Sequence, residues 1–252
     1  MWRFADDNTL PIITAKDQAD GALERAELPK TAIVFFMSRC ADYLCETYQA
    51  QELSGLFPRF LNRCPIWRFN EYELCFLDGG RGAPQACDTV ETLAALGVKN
   101  MLAVGMCGAF DPRVKLGEII APEKAFVEEG TSLHYYESIE YSKPDSGLLQ
   151  LCSSTIQTRT YPIVSADAVY RQTFFKEELW RQKGAVGVDM ETSAVFSVSE
   201  YLGLKAAALL MVSDIHPLSP EDTKWKWSMT KDMRCELAEK VVAVARHMVE
   251  EL

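Results

Sequence analysis

Apolar residues in this chain gather into short dense runs, and these alternate with longer stretches in which they recur at helical spacing. TAIVFFM (residues 31–37) is unbroken, β-rich and too short for a buried helix, so it predicts a strand covered on both faces. A helix is expected over residues 41–51 and a strand over 72–77, leading into the turn GGRGAP (79–84). Pro84 then opens a helix that stops at Gly97, the usual place for a glycine C-terminal cap. Residues 101–105 read as a buried strand ending in the loop GMCGAF. Beyond it come a strand over 163–165, a helix over 174–183, a strand over 186–189, and a helix over 192–202 capped by Gly203. A strand over 206–212 and an amphipathic helix over 232–251 complete the pattern. Strands alternating with helices predict an α/β sandwich on a largely parallel or mixed sheet, where ligands bind at the carboxyl ends of strands. The first thirty residues are polar and irregular. No repeat or linker interrupts the chain, so residues 1–252 are read as one domain.

Composition narrows the function. The 252 residues are 48% apolar and 25% charged, as in soluble globular proteins. Lys and Arg number 26 against 36 Asp and Glu, a net charge of -10, which makes nucleic acid and anionic membrane poor partners. No apolar run is long enough to span a bilayer, and the early acids of MWRFADDNTLPII argue against a signal peptide. The eight cysteines form no CxxC pair and sit mostly in apolar runs. They are expected to be buried reduced thiols of a cytoplasmic protein, with no metal to bind.

Three strand ends carry unusual residues: GMCGAF after Val104, VDMETSAVF at Val188 and VSDIH at Val212. Asp189 and Glu191 flank Met190 where a strand becomes a helix. Two acids there can be a helix cap and a first-turn charge that complements the helix dipole. Alternatively Glu191 points into a cleft and accepts two hydrogen bonds from a vicinal diol, for which a carboxylate has the right acceptors. Asp214, just past AAALLMV, is either a loop cap or a partly desolvated acid whose raised pKa holds a proton near neutral pH.

The block SADAVYRQTFFKEELWRQKGAVGVDMETSAVFSVSEYLGLKAAALLMVSD resembles the C-terminal half of the purine nucleoside phosphorylase/uridine phosphorylase family, and EEGTSLHY, GVKNMLAVGMCGAF and GRGAPQA extend the likeness upstream. The resemblance implies a three-layer α/β/α sandwich with a mixed central β-sheet, and cleavage of a nucleoside's N-glycosidic bond, usually by phosphate, with no cofactor. Glu191 then matches the residue that holds the ribose 2′- and 3′-hydroxyls, and Met190 the one that packs on the sugar. Asp214 matches the residue at N7 of a purine, with Ser213 beside it. Asp189, Cys107 and Gly108 fall in the same substrate-binding segments. Val169 takes the place of a base-stacking aromatic, with Tyr170 as the adjacent candidate and core packing as its alternative role. Protonation of N7 makes the base a better leaving group, and the Glu191 charge stabilises the positive sugar. Because pyrimidine-specific relatives lack the Ser–Asp pair, a purine nucleoside is expected. A homo-oligomer, dimer or hexamer, is implied as well.

The phosphate site departs from this pattern. The glycine of the first turn is replaced in Phe36-Met37-Ser38, although Arg39 matches the family's arginine. Ala103 and Met106 stand where the family has an arginine and a hydroxyl, and each lost donor weakens anion binding. Arg81 either re-supplies a positive charge or is a surface arginine on a turn. Arg59 and Arg63 fall where the family lends an arginine to a neighbouring subunit. Three functions stay open: a phosphorylase with a remodelled anion site, a hydrolase using water, and a nucleoside-binding protein without turnover. The segment 215–229, with Trp225 and Trp227, resembles a mobile flap or else a packed surface loop.

Overall fold

The protein is described here by a computed structural model covering residues 7, 9–19, 28–54 and 56–251. Strand β1 (Thr31–Phe35) is buried along its whole length, as its unbroken apolar run requires. It lies between β4 (Leu74–Asp78) and β5 (Asn100–Ala109), parallel to both. Beyond β4, the antiparallel strands β3 (Ile66–Phe69) and β2 (Ala50–Ser54) form one edge. The other edge of β5 runs parallel to β10 (Lys205–Ile215) along its full length. From β10 the sheet continues through β6 (Ile119–Glu128), β8 (Arg159–Ala166) and β9 (Gly187–Asp189). Strand β9 pairs back onto β5, so this half of the mixed sheet curls shut, and the two-residue β7 (Tyr141–Ser142) flanks β6.

Helices α3 (Ala83–Ala95) and α6 (Thr192–Leu202) bury Val90, Leu93, Val195 and Val198 against one face of the sheet. On the opposite face α2 (Cys40–Thr47), α4 (Ser146–Thr155) and α7 (Lys231–Glu251) bury Leu44, Leu148, Cys152, Leu237 and Val241. This is the α/β/α layering expected. Each of these valine and leucine side chains contributes roughly 1.5–3 kcal/mol by leaving water. Helix α5 (Phe174–Gln182) lies apart, with Trp180 packed on Phe110 and Val188.

The differences from expectation have tertiary causes. Helix α2 ends at Thr47 rather than residue 51, because Ala50, Gln51 and Glu52 pair with Phe69, Arg68 and Trp67 of β3. GMCGAF is not a loop. Cys107 and Gly108 continue β5, held by β10 on one side and β9 on the other. Likewise β10 extends through Ser213 and Asp214. The N-terminal stretch contains one helical turn, α1 (Ala15–Gln18), with Thr14 and Asp17 forming a capping box; residues 1–6, 8 and 20–27 of that stretch lie outside the described residues. Strands β2, β3, β6 and β7 and helix α4 were not anticipated.

All eight cysteines carry free thiols, and burial pushes those of Cys75 and Cys152 up to about 12, which keeps them unreactive. Among the described residues no helix is long and apolar enough to cross a membrane, and no group of His, Cys, Asp and Glu is placed to hold a metal ion.

Candidate active site

The register of β5 assembles the site. Gly108 pairs with Val188 of β9 on one side and Asp214 of β10 on the other. The Asp189–Glu191 junction and Asp214 therefore emerge around a single glycine. Between Val212 and Asp214 the ladder skips one residue, so Ser213 is a bulge, a device that re-aims side chains beside functional sites. Gly108 itself must lack a side chain: a Cβ there would stand 2.3 Å from His216 Nε2 and 3.2 Å from Asp214 Oδ2.

The two acids of the junction divide the roles weighed from sequence. Asp189 takes the capping role. It accepts from Thr192 N (3.0 Å), from the Thr192 hydroxyl and from Ser165 Oγ (2.5 Å). Glu191 makes no side-chain cap bond. Its carboxylate accepts from the backbone N–H of Gly82 (2.5 Å) and of Met190 (3.3 Å). Gly82 reaches it at φ +79°, a conformation that favours glycine. Burial pushes both carboxyls up, and the Asp189 charge pushes Glu191 further. Donors from Ser165 and Thr192 offset part of the rise at Asp189, and the Gly82 and Met190 amides offset part of it at Glu191.

Asp214 is bound differently. Ser213 Oγ donates to Oδ1 (2.5 Å), while Trp225 Nε1 (2.5 Å) and His216 Nε2 (3.2 Å) both meet Oδ2. Burial alone would raise its pKa, but these bonds outweigh burial and hold it below the usual carboxylate range. The expected raised acid is thus corrected. The elevated group is His216, whose Nδ1 lies 2.7 Å from Glu177 Oε1. Burial opposes its charge, yet the two carboxylates raise it to about 9. A cavity of about 310 Å³ opens beside this cluster, lined by Val169, Tyr170, Phe174, Glu177, His216 and Trp225. Tyr170 is 94% exposed, which rules out core packing and puts it on the rim.

At the third corner, the positions that the resemblance assigns to the anion carry apolar side chains. Ala103 is buried in one apolar cluster with Val34 and Phe36, and a Cβ on Gly79 would lie 2.5 Å from the Phe36 ring. Arg39 is exposed at the start of α2 with a left-handed backbone (φ 71°), an uncommon conformation for a non-glycine residue. From α7, Arg234 reaches Met106 Sδ (3.9 Å) and the Ser38 carbonyl (3.4 Å), and it lines a cavity of about 250 Å³ with Arg39 and Lys231. Arg81 is committed to a two-pronged ion pair with Asp78 (2.8 and 3.1 Å). Arg59 is fully buried, donating to the carbonyls of Asp78 (2.7 Å) and Asn62 and to Thr89 Oγ1 (2.8 Å), so it is held within its own chain rather than lent to a neighbour. Arg63 lines the cavity beside it.

A family model described as the phosphorylase superfamily matches residues 66–250. The chain belongs to the phosphorylase superfamily. Among superfamily members, a guanosine phosphorylase of Halorubrum lacusprofundi is 33% identical over 146 residues, covering 56% of this chain and 60% of that protein. A DeoD-type purine nucleoside phosphorylase of Aliivibrio salmonicida is 31% identical over 142 residues, covering 54% and 60%. The chain thus matches about 60% of the length of these curated relatives. The solved purine nucleoside phosphorylase of Toxoplasma gondii in complex with immucillin-H matches with a TM-score of 0.76 over 91% of this chain and 94% of that one. At 20% identity, that is a likeness of fold.

His216, Glu177 and Arg234 were not singled out as site residues from sequence, whereas Trp225 was named there as part of the candidate flap 215–229. VSDIH carried a signal for His216, two residues past Asp214. Glu177 reads as one more acid of an amphipathic helix, and nothing local marks it.

Proposed function

We propose that this chain cleaves the N-glycosidic bond of a purine nucleoside by phosphorolysis. The observation that carries this reading is the register that sets Glu191 and Asp214 around Gly108, and the names of its relatives agree with it. Glu191, held by the Gly82 and Met190 amides, accepts the 2′- and 3′-hydroxyls on its remaining lone pairs, and Met190 packs on the sugar. The base lies in the cavity beside Val169, Tyr170 and Phe174, with N7 at Asp214 and Ser213. Cys107 and Gly108 form the floor. As the bond from C1′ to the base breaks, its electron pair leaves with the purine, a proton at N7 neutralises it, and Glu191 stabilises the positive sugar. A phosphate oxygen then bonds to C1′.

The anion site of this proposal is Arg39 with Arg234. Arg234 stands over Met106 and so restores a guanidinium close to where Ala103 and Met106 remove the family's ligands. Arg81, paired to Asp78, is left out. Phosphate serves as co-substrate without a further cofactor, in a cytoplasmic homo-oligomer.

The test is to incubate the protein with inosine, guanosine, adenosine and uridine, with and without phosphate. Ribose 1-phosphate from the purine nucleosides, formed only with phosphate, is expected. Free ribose in both conditions would make it a hydrolase, and binding without turnover would make it a nucleoside-binding protein. Arg234→Ala should raise KM for phosphate about tenfold or more, as loss of a charge-assisted donor does. An unchanged phosphate KM would remove Arg234 from the site.

A further inference from the structure

We propose that His216, oriented by Glu177, is a positioning residue that supplies the proton Asp214 passes to the leaving base. The inference rests on the purine-nucleoside reading above.

Three groups from separate places in the chain are linked in series: Glu177 of α5 and Asp214 on the bulged part of β10, both buried, with the partly buried His216 just past the end of that strand between them. Their side chains are 8%, 14% and 6% exposed. The contacts are 2.7 Å from Glu177 Oε1 to Nδ1 and 3.2 Å from Nε2 to Asp214 Oδ2. With a carboxylate at each ring nitrogen, both nitrogens serve as donors, which only an imidazolium can do. The backbone makes room for this arrangement, since any side chain at Gly108 would meet Nε2. The far side of the pair borders the 310 Å³ cavity assigned to the base. A histidine serving only as a surface ion pair would have no need of this burial, of a second carboxylate or of a facing glycine.

The step balances with one proton. When the bond between C1′ and the base breaks, the electron pair stays on the base. The proton on His216 Nε2 moves to Asp214, and Asp214 gives it to N7. Asp214 begins and ends as a carboxylate. His216 begins as an imidazolium and ends as a neutral ring whose remaining proton, on Nδ1, faces Glu177. Water at the open rim of the cavity re-protonates Nε2 after the base departs. Glu177 thus fixes the tautomer and favours the charged ring. The titratable groups facing His216 are Glu177 from α5 and Asp214 from β10; Cys107 of β5 lies behind Asp214, with its thiol pushed well up by burial, and Tyr170 stands on the cavity rim. The raised pKa of His216, about 9, keeps the reservoir filled at neutral pH.

The experiment compares wild type with His216→Gln on a purine nucleoside and on the same nucleoside methylated at N7, which carries its positive charge already and needs no proton. In the variant, kcat on the ordinary nucleoside should fall about 10- to 100-fold with KM nearly unchanged, a typical share for acid catalysis. Turnover of the N7-methyl substrate should stay within about twofold of wild type, which also shows that the variant is folded. The basic limb of the pH profile, near 9 in wild type, should be lost in this variant because the titrating ring is gone, and Glu177→Gln, which keeps the ring but removes a carboxylate, should move it to lower pH. Equal losses on both substrates, or an unmoved basic limb, would overturn the relay while nucleoside cleavage stands. A wild type inert toward both nucleosides would instead overturn the nucleoside reading and the relay with it.

Discussion

Glu191 and Asp214 are two buried acids on either side of one glycine, yet they are held by different means. Glu191 is fixed by backbone amides, of Gly82 in the turn before α3 and of Met190 beside it. Asp214 is held by the side chains of Ser213, His216 and Trp225. Backbone donors cannot rotate away, so the Glu191 corner is preformed and its carboxyl carries the cost of burial next to Asp189 as a raised pKa. Side-chain donors can be exchanged, so Asp214 is well solvated by the protein until a ligand atom displaces one of them. The sugar corner is therefore built for position and the base corner for proton traffic.

The largest way to break this comparison is at the base corner. Asp214→Asn retains an acceptor for its neighbours but cannot carry the proton. Turnover of purine nucleosides should drop about 10²- to 10⁴-fold, with an unchanged far-UV circular dichroism spectrum. Turnover near the wild-type rate would remove Asp214 from N7. At the sugar corner, Glu191→Gln turns an amide NH₂ toward donors that need an acceptor. The expected loss in kcat/KM on ribosides is about 10- to 100-fold, the equivalent of one charged hydrogen bond, and smaller on 2′-deoxyribosides. Matching losses on both sugars would show that Glu191 does not hold the diol.

What the sequence disclosed follows the same division. The sugar corner is local: VDME places Asp189, Met190 and Glu191 within three residues of one strand-to-helix junction, and the glycine turn that meets it is visible as GGRGAP. Buried central strands announced themselves by unbroken apolar runs. Edge strand β2 did not, because none of its residues is buried and only pairing with β3 defines it. The base corner is non-local. Glu177 is 39 residues from His216 and Trp225 is 11 residues past Asp214, so their convergence depends on how α5 and the segment after β10 settle on the sheet. The direction of the Asp214 shift was missed for that reason: burial can be read from AAALLMV, but the donors that outweigh it cannot. The partners of Arg59 and Arg81 were out of reach likewise, since their acceptors, the Asp78 carbonyl and carboxylate, are supplied by the end of β4.

The smallest effect sharpens the comparison most. Trp225 is half exposed at the cavity rim, and its indole N–H sits on the Asp214 oxygen that the relay to N7 requires. A ligand must therefore displace it. Trp225→Phe keeps an aromatic ring but removes the donor, so a purine nucleoside no longer competes with it. KM should fall about 2- to 10-fold, the ordinary net worth of one hydrogen bond at a half-exposed donor, and kcat should change little. The same substitution has a sign in the unliganded protein. Asp214 is held below its ordinary value of 3.8, so its contribution to stability is present above that pH and is lost as pH falls through the lower folded-state value. Without the Trp225 bond the folded value rises toward 3.8, the contribution shrinks, and the midpoint of acid unfolding should move to higher pH. An acid midpoint that does not move would mean the indole bond contributes nothing to Asp214. A KM that rises would mean the indole grips the base instead of guarding the acid, and the base corner would then be as preformed as the sugar corner.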